Sequence, residues 1–173
     1  MQLTFRRLRF LICAVTDFVG FLVVFAVSRG LAEHHAGSQE MGRVGAIFSF
    51  SAGVASILSG VLTQRISSRV VFLTGATTVV ASILPGSFVD HRSSLFLPCY
   101  WLLAAGLGLL YPPLIGWLNQ DTDPHANHRG VSRTLVLFCI AWNAGVMCGQ
   151  LVAGTLFARG TEWIYWAAVV ATF

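Results

Sequence analysis

Five apolar runs, at residues 10–28, 44–62, 70–88, 95–118 and 134–158, constrain this chain more than any other feature of it. Each matches the roughly 17 to 25 residues that carry a helix across a hydrocarbon core about 30 Å thick. Lipid offers no water to satisfy backbone amides, so each run predicts a transmembrane helix. A further run at 163–173 is shorter and, at about 1.5 Å per residue, rises roughly half that thickness. The chain reads there as stopping inside a sixth helix, as a truncated frame or a cut fragment would. Composition removes the soluble alternative. The chain is 55% hydrophobic and 10% charged, with mean hydropathy +0.73, where a soluble domain carries about 25% charged residues. The expected fold class is therefore all-α, a polytopic transmembrane helix bundle forming one domain over residues 1–173, with the lipid bilayer as its first partner.

The net charge of +4 comes entirely from arginine, eleven residues against seven acids. These arginines stand singly or in pairs between apolar runs, without the clustered basic face that nucleic acid requires, so nucleic-acid binding is excluded. Their distribution sets an orientation. With the N-terminus cytoplasmic, Arg6, Arg7, Arg9, Arg65, Arg69, Arg129 and Arg133 lie inside, while Arg29, Arg43, Arg92 and Arg159 lie outside. The positive-inside bias favours that arrangement, in a plasma (inner) membrane. Arg6, Arg7 and Arg9 ahead of an apolar stretch, with Ala26 and Ser28 behind it, also resemble a secretory signal, but Asp17 interrupts the core that such a signal keeps free of charge. Cys13, Cys99, Cys139 and Cys148 all fall within apolar runs and read as small packing residues rather than a disulfide framework.

Asp17 is the only acidic or basic residue within any predicted span. A charged Asp at such depth costs about 2.5 to 3.5 kcal/mol to insert, which makes it a functional-site candidate by default. It suits a proton relay, or alternatively a packing role bonded to Asn143 or Gln150. Small residues recur at four-residue intervals in three spans: Gly45, Ser49 and Gly53; Ala104, Gly108 and Gly116, with Pro112 between the last two; and Ala141, Gly145, Gly149 and Ala153, with Gly154 alongside. Such stripes let helix backbones approach closely and predict packing seams. Tyr111 precedes Pro112 and Pro113, which deprive the carbonyls one turn earlier of donors and predict a kink near Gly108 and Leu109. In lipid those carbonyls need a neighbouring helix or cavity water, so a cavity wall is one expectation there and a structural bend the other.

The loop Asp121, Thr122, Asp123, Pro124, His125, Ala126, Asn127, His128 brings carboxylates and imidazoles together, but at no recognisable zinc spacing; it reads as a solvated turn, as do His34, His35 and His91. No HExxH, GxSxG, phosphate loop or CxxC pair is present, and only one carboxylate lies in a span. Neither an enzyme nor a metal site is expected, and no cofactor is implied.

The turn after the second span, Gly60-Val61-Leu62-Thr63-Gln64-Arg65-Ile66-Ser67-Ser68-Arg69, resembles the G-x-L-x-D-R-x-G-R-[RK] signature of major facilitator superfamily (MFS) transporters. Gly60, Leu62, Arg65 and Arg69 fit; Gln64 replaces the acid, and Ser67 and Ser68 replace the glycine and first basic residue of its end. Asp17-Phe18-Val19-Gly20 is similar to the D-x-x-G of the first helix in many drug and proton antiporters of that family, with Phe25 where a proline follows. Gly149-Gln150-Leu151-Val152-Ala153-Gly154 is similar to the fifth-helix G-P-x-x-G-G. Gly106 and Gly108 stand as in the fourth-helix R-x-x-Q-G-x-G, with Leu102 at its arginine.

This resemblance spans essentially the whole chain and implies an MFS-like N-terminal six-helix half built from inverted three-helix repeats, with a substrate path between two such halves. It implies a secondary active transporter of a small solute working by alternating access, with a C-terminal six-helix half as partner and a coupling proton. Asp17, Tyr111 and Asn143 are then the expected substrate and proton path. Gly60, Leu62, Gln64, Arg65 and Arg69 form the expected cytoplasmic switch, and Gly145, Gly149, Gln150 and Gly154 the expected helix-packing motif. The rival expectation is a non-transporting membrane module, a relic half-transporter.

Overall fold

The computed structural model describes the backbone of residues 2–88, 95–120 and 128–172. Within them lie six α-helices: α1 (Gln2–Glu33), α2 (Ser38–Leu62), α3 (Ser68–Ile83), α4 (Phe96–Gln120), α5 (His128–Phe157) and α6 (Thr161–Ala171). The first five, the third counted with the turn that continues it to Gly86, are long and apolar enough to cross a membrane. The third departs from its predicted span of 70–88: the α-helix ends at Ile83 and tightens into a 3-10 turn over Leu84–Ser87. Pro85 explains this, because it carries no N–H for the helical ladder, although Leu84 before it keeps α geometry at φ −51° and ψ −47°. The Asp121 to Asn127 loop, with its candidate metal ligands, and His91 fall outside the described residues. His34 and His35 are exposed in the turn after α1, where His35 takes a positive φ of 57°.

α1 and α4 run antiparallel through the middle of the bundle. α1 packs chiefly on α5 and α6, and α4 on α2 and α3. Exchanging the first three helices for the last three maps one set of contacts onto the other, which is the signature of inverted three-helix repeats. The apolar positions follow. Val19, Leu22, Val23, Ala26 and Val27 recur at three- and four-residue steps and bury one face of α1 against Leu103, Leu107 and Leu110 of α4 and Ile164, Tyr165 and Ala168 of α6. By contrast α2 and α5 leave Phe50, Ile57, Met147 and Leu151 more than 60% exposed, side chains that belong in hydrocarbon. The chain is an integral membrane protein.

Glycines set the closest approaches. A Cβ on Gly145 of α5 would strike the Ala14 carbonyl of α1 and come within 3.0 Å of Asp17 Cβ, and one on Gly149 would lie 2.7 Å from the Phe18 carbonyl oxygen. Gly108 of α4 faces the Ala52 carbonyl of α2 in the same manner. The α2 stripe behaves differently. Gly45, Ser49 and Gly53 are exposed, and nothing lies within 4 Å of where a Cβ on either glycine would stand. The expected seam there has no partner among the described residues. The same is true of Gly116 in α4.

The first turns of α1 and α3 and the last of α4 gather at one end of the bundle. Arg9 donates to the carbonyl of Trp117 near the C-terminus of α4, where the helix dipole favours a cation. Trp117 in turn stacks on Phe72 of α3, ring centroids 5.1 Å apart. At the opposite end Arg29 stands 5.2 Å over the Phe157 ring, tying α1 to α5.

Candidate functional site

Asp17 lies at the centre of α1, 2% exposed. The hydroxyl of Tyr111, on antiparallel α4, donates to its Oδ1, and the indole of Trp142 on α5 stands beside the same carboxyl group. Its Oδ2 is buried and accepts no hydrogen bond. The close approach of α1 to both neighbours makes this possible: Gly145 admits α1 against α5 at the level of Asp17, and Gly20 admits Leu107 one turn further on, 3.2 Å from where a Cβ would stand.

Asp17 is among the residues that line a cavity of about 350 Å³. α1 and α4 supply its inner wall through Asp17, Gly20, Phe21, Val24, Leu107 and Tyr111; α2 and α5 supply its flanks through Phe48, Ala52, Phe138 and Trp142. Asp17, Gly20, Phe21 and Val24 are spaced i, i+3, i+4 and i+7 and so share one helix face. Phe138 and Trp142 are four apart on α5 for the same reason. Phe48 is held from behind by Tyr100, their rings stacked at 4.6 Å.

Next to this cavity the proline pair of α4 finds its compensation. Pro112 and Pro113 have no N–H for the carbonyls of Gly108 and Leu109, four residues earlier. Ser56 Oγ of α2 donates to the Gly108 carbonyl at 3.1 Å, and Ser59 Oγ to the Leu109 carbonyl at 2.9 Å. The two orphaned acceptors are thus satisfied by a neighbouring helix.

Of the residues expected on the path, the structure brings Asp17 and Tyr111 together in a direct hydrogen bond. Asn143 lies apart: it is exposed, donates to the Cys139 carbonyl of its own helix at 2.7 Å and does not line the cavity. Its neighbour Trp142 does. Nor does Asp17 bond to Asn143 or Gln150, which is also exposed. In the packing motif, Gly145 and Gly149 sit on the seam with α1, while Gly154 is exposed and a Cβ there would only graze Phe25, at 3.9 Å. In the α2–α3 turn, Gly60 and Leu62 close α2, and Ser67 caps α3 by accepting from the Val70 N–H at 3.3 Å. Gln64, Arg65 and Arg69 project from the turn, exposed. The sequence reading missed Phe21, Phe48, Phe138 and Trp142, although the i+4 step from Asp17 to Phe21 was a usable signal.

A bundle of paired three-helix repeats, with a buried carboxyl beside a cavity between four of its helices, has the architecture of a membrane transporter. The Major Facilitator Superfamily model matches residues 9–173, and the chain belongs to that family, whose members are transporters. No curated protein and no solved structure matches it significantly.

Proposed function

We propose that the chain is the N-terminal half of a secondary active transporter that moves a small solute by alternating access, coupled to a proton carried by Asp17. The observation behind this is a carboxyl group at mid-membrane depth whose polar neighbours, Tyr111, which donates to it, and Trp142, are neutral. A carboxyl so placed can be neutralised by a proton, and its occupancy then biases which side of the membrane the cavity faces. The other titratable groups facing it are Cys13 on its own helix and Tyr111 on α4. α5 presents Trp142, which does not titrate. The cavity lies between α2 and α5, whose outer faces are open. A second six-helix unit docking there would complete the path.

The end holding Arg9, Arg65 and Arg69 is the basic one, so the positive-inside bias makes it cytoplasmic, with the N-terminus, at a plasma membrane. In proteoliposomes of the complete transporter, screened against a solute panel under imposed pH gradients, the unaltered protein shows gradient-dependent uptake and Asp17→Asn a flat pH profile. A profile unchanged by Asp17→Asn overturns the proton reading. Arg65→Ala, at the proposed switch, lowers the maximal uptake rate while leaving the half-saturating concentration nearly unchanged. A loss confined to affinity overturns the switch role.

A further inference from the structure

We infer that the groove between α3 and the N-terminal half of α1 binds an anionic phospholipid, with one acyl chain lying in the groove and the phosphate held by Arg69 and Arg7. The lipid belongs to the leaflet at the end where both helices begin. This groove is separate from the Asp17 cavity: it lies across the α1–α4 pair from it, and only Leu107 lines both. Its volume is about 300 Å³. Leu11 and Val15 of α1 and Ala76 and Val80 of α3 form its walls, with Leu107 and Leu110 of α4 behind them. Leu11, at its lip, is 58% exposed, so the groove opens on hydrocarbon.

The lining dictates an apolar occupant. Its two hydroxyls are spent on their own helices, Thr16 donating to the Ile12 carbonyl at 2.8 Å and Thr172 to the Val169 carbonyl at 2.6 Å. No side-chain donor is left for a polar molecule, whose burial there would be costly. A gap left unfilled would forfeit packing contacts along its whole lining. In a bilayer the apolar group at hand is a lipid chain. The charges at the mouth then choose the headgroup. Arg69 stands one turn before Phe72 and two before Ala76, so it heads the α3 wall of the groove. On α1, Arg7 stands one turn before Leu11. Both are exposed, and neither has a carboxylate partner among the described residues. Asp17 apart, the described acids, Glu33, Glu40 and Glu162, lie at the opposite end of the bundle. An arginine whose stem follows apolar surface carries its charge out to the headgroup layer, where it attracts anionic lipid. A zwitterionic lipid would fill the groove and leave the arginines unmatched. The inference needs only that the chain spans a bilayer, so it stands apart from the proton and transport readings.

The test is native mass spectrometry of the chain released from mixed micelles holding phosphatidylglycerol and phosphatidylcholine with identical acyl chains. One phosphatidylglycerol stays bound at saturation, preferred over phosphatidylcholine by about fivefold or more, and glycerol 3-phosphate does not displace it. Arg69→Gln lowers that preference by about fivefold, whereas Arg43→Gln, at the opposite end of the bundle, leaves it unchanged. Ala76→Phe, which puts a ring into the groove, lowers retention of both lipids by about tenfold or more. Val80→Trp blocks the groove one turn further along and serves if Ala76→Phe does not fold. Equal retention of the two lipids, displacement by glycerol 3-phosphate, or full retention in a folded groove variant overturns the inference. So does a preference that survives Arg69→Gln or falls equally in Arg43→Gln. A chain continued past Phe173 that no longer retains the lipid assigns the groove to polypeptide, and overturns it as well.

Discussion

Gly145→Leu should separate α1 from α5 and lower the stability of the bundle by about 3 kcal/mol, at the upper end of what overpacking of a close-packed site costs. The Cβ alone would collide with the Ala14 carbonyl. That atom belongs to a helix backbone and cannot turn aside as a side chain can. The only relief is translation of a whole helix, which forfeits the contacts made by Gly149 with Phe18 one turn along. No hydrophobic force between helices compensates in lipid, where the association depends on close packing itself. Because the same Cβ lies within 3.0 Å of Asp17 Cβ, relief would also shift the carboxyl away from Tyr111. Uptake by the complete transporter should fall together with stability. The measurement is reversible unfolding by SDS in mixed micelles, with Gly53→Leu on α2 as the matched control. Gly53 has open space around it, so its substitution should leave unfolding within about 0.5 kcal/mol of the parent. Equal losses at the two positions would mean that leucine acts through the helix itself and not through the seam.

That pair of glycines also shows where the sequence ceased to be informative. The stripes in α2 and α5 have the same four-residue spacing, and periodicity alone predicts a close-packed face for both. Only α5 has a helix laid against it. Spacing shows that a face exists, but what meets it depends on which helix the fold brings there. The spans themselves were legible because lipid leaves helix as the one way to satisfy backbone amides. The break at Pro85 was present as a local signal, yet apolarity continues to Phe88 and the span was drawn through it. At the site, Asp17 stood out because a carboxyl in hydrocarbon is costly, and Tyr111 because it adjoins a proline pair. Asn143 was chosen for its polarity, whereas the residue on the cavity is Trp142, one position and about 100° of helix rotation away. A residue-type argument has no means of seeing that rotation until α1 has been placed against α5. The aromatic lining was hidden for a related reason, since each ring reads alone as an ordinary lipid-facing or core residue.

The serine clamp on α4 makes the second large prediction, and its logic can be tested as a cycle. Pro112 and Pro113 could be identified from sequence as removing the donors of Gly108 and Leu109, but nothing in the sequence joins those carbonyls to Ser56 and Ser59, some fifty residues earlier. Removing both hydroxyls leaves two acceptors without partners at a site where Ser59 is fully buried. Interhelical bonds in membranes are worth on average about 0.6 kcal/mol and at most about 1.7. The double variant Ser56→Ala, Ser59→Ala should therefore lose about 1 to 3 kcal/mol in the same SDS unfolding measurement. Replacing Pro112 and Pro113 by alanine restores backbone donors to those carbonyls within α4. In that background the serine substitutions should cost close to nothing, giving a coupling energy of about 1 kcal/mol or more between serines and prolines. Additive losses would show that the serines stabilise the α2–α4 interface by packing alone. Coupled losses would mean that the proline pair of α4 and the position of α2 are one mechanical unit. Since α2 carries Phe48 and Ala52 into the cavity wall and α4 carries Tyr111, loosening the clamp would also weaken the grip on Asp17, which ties the bonding of two helices to the geometry of the site.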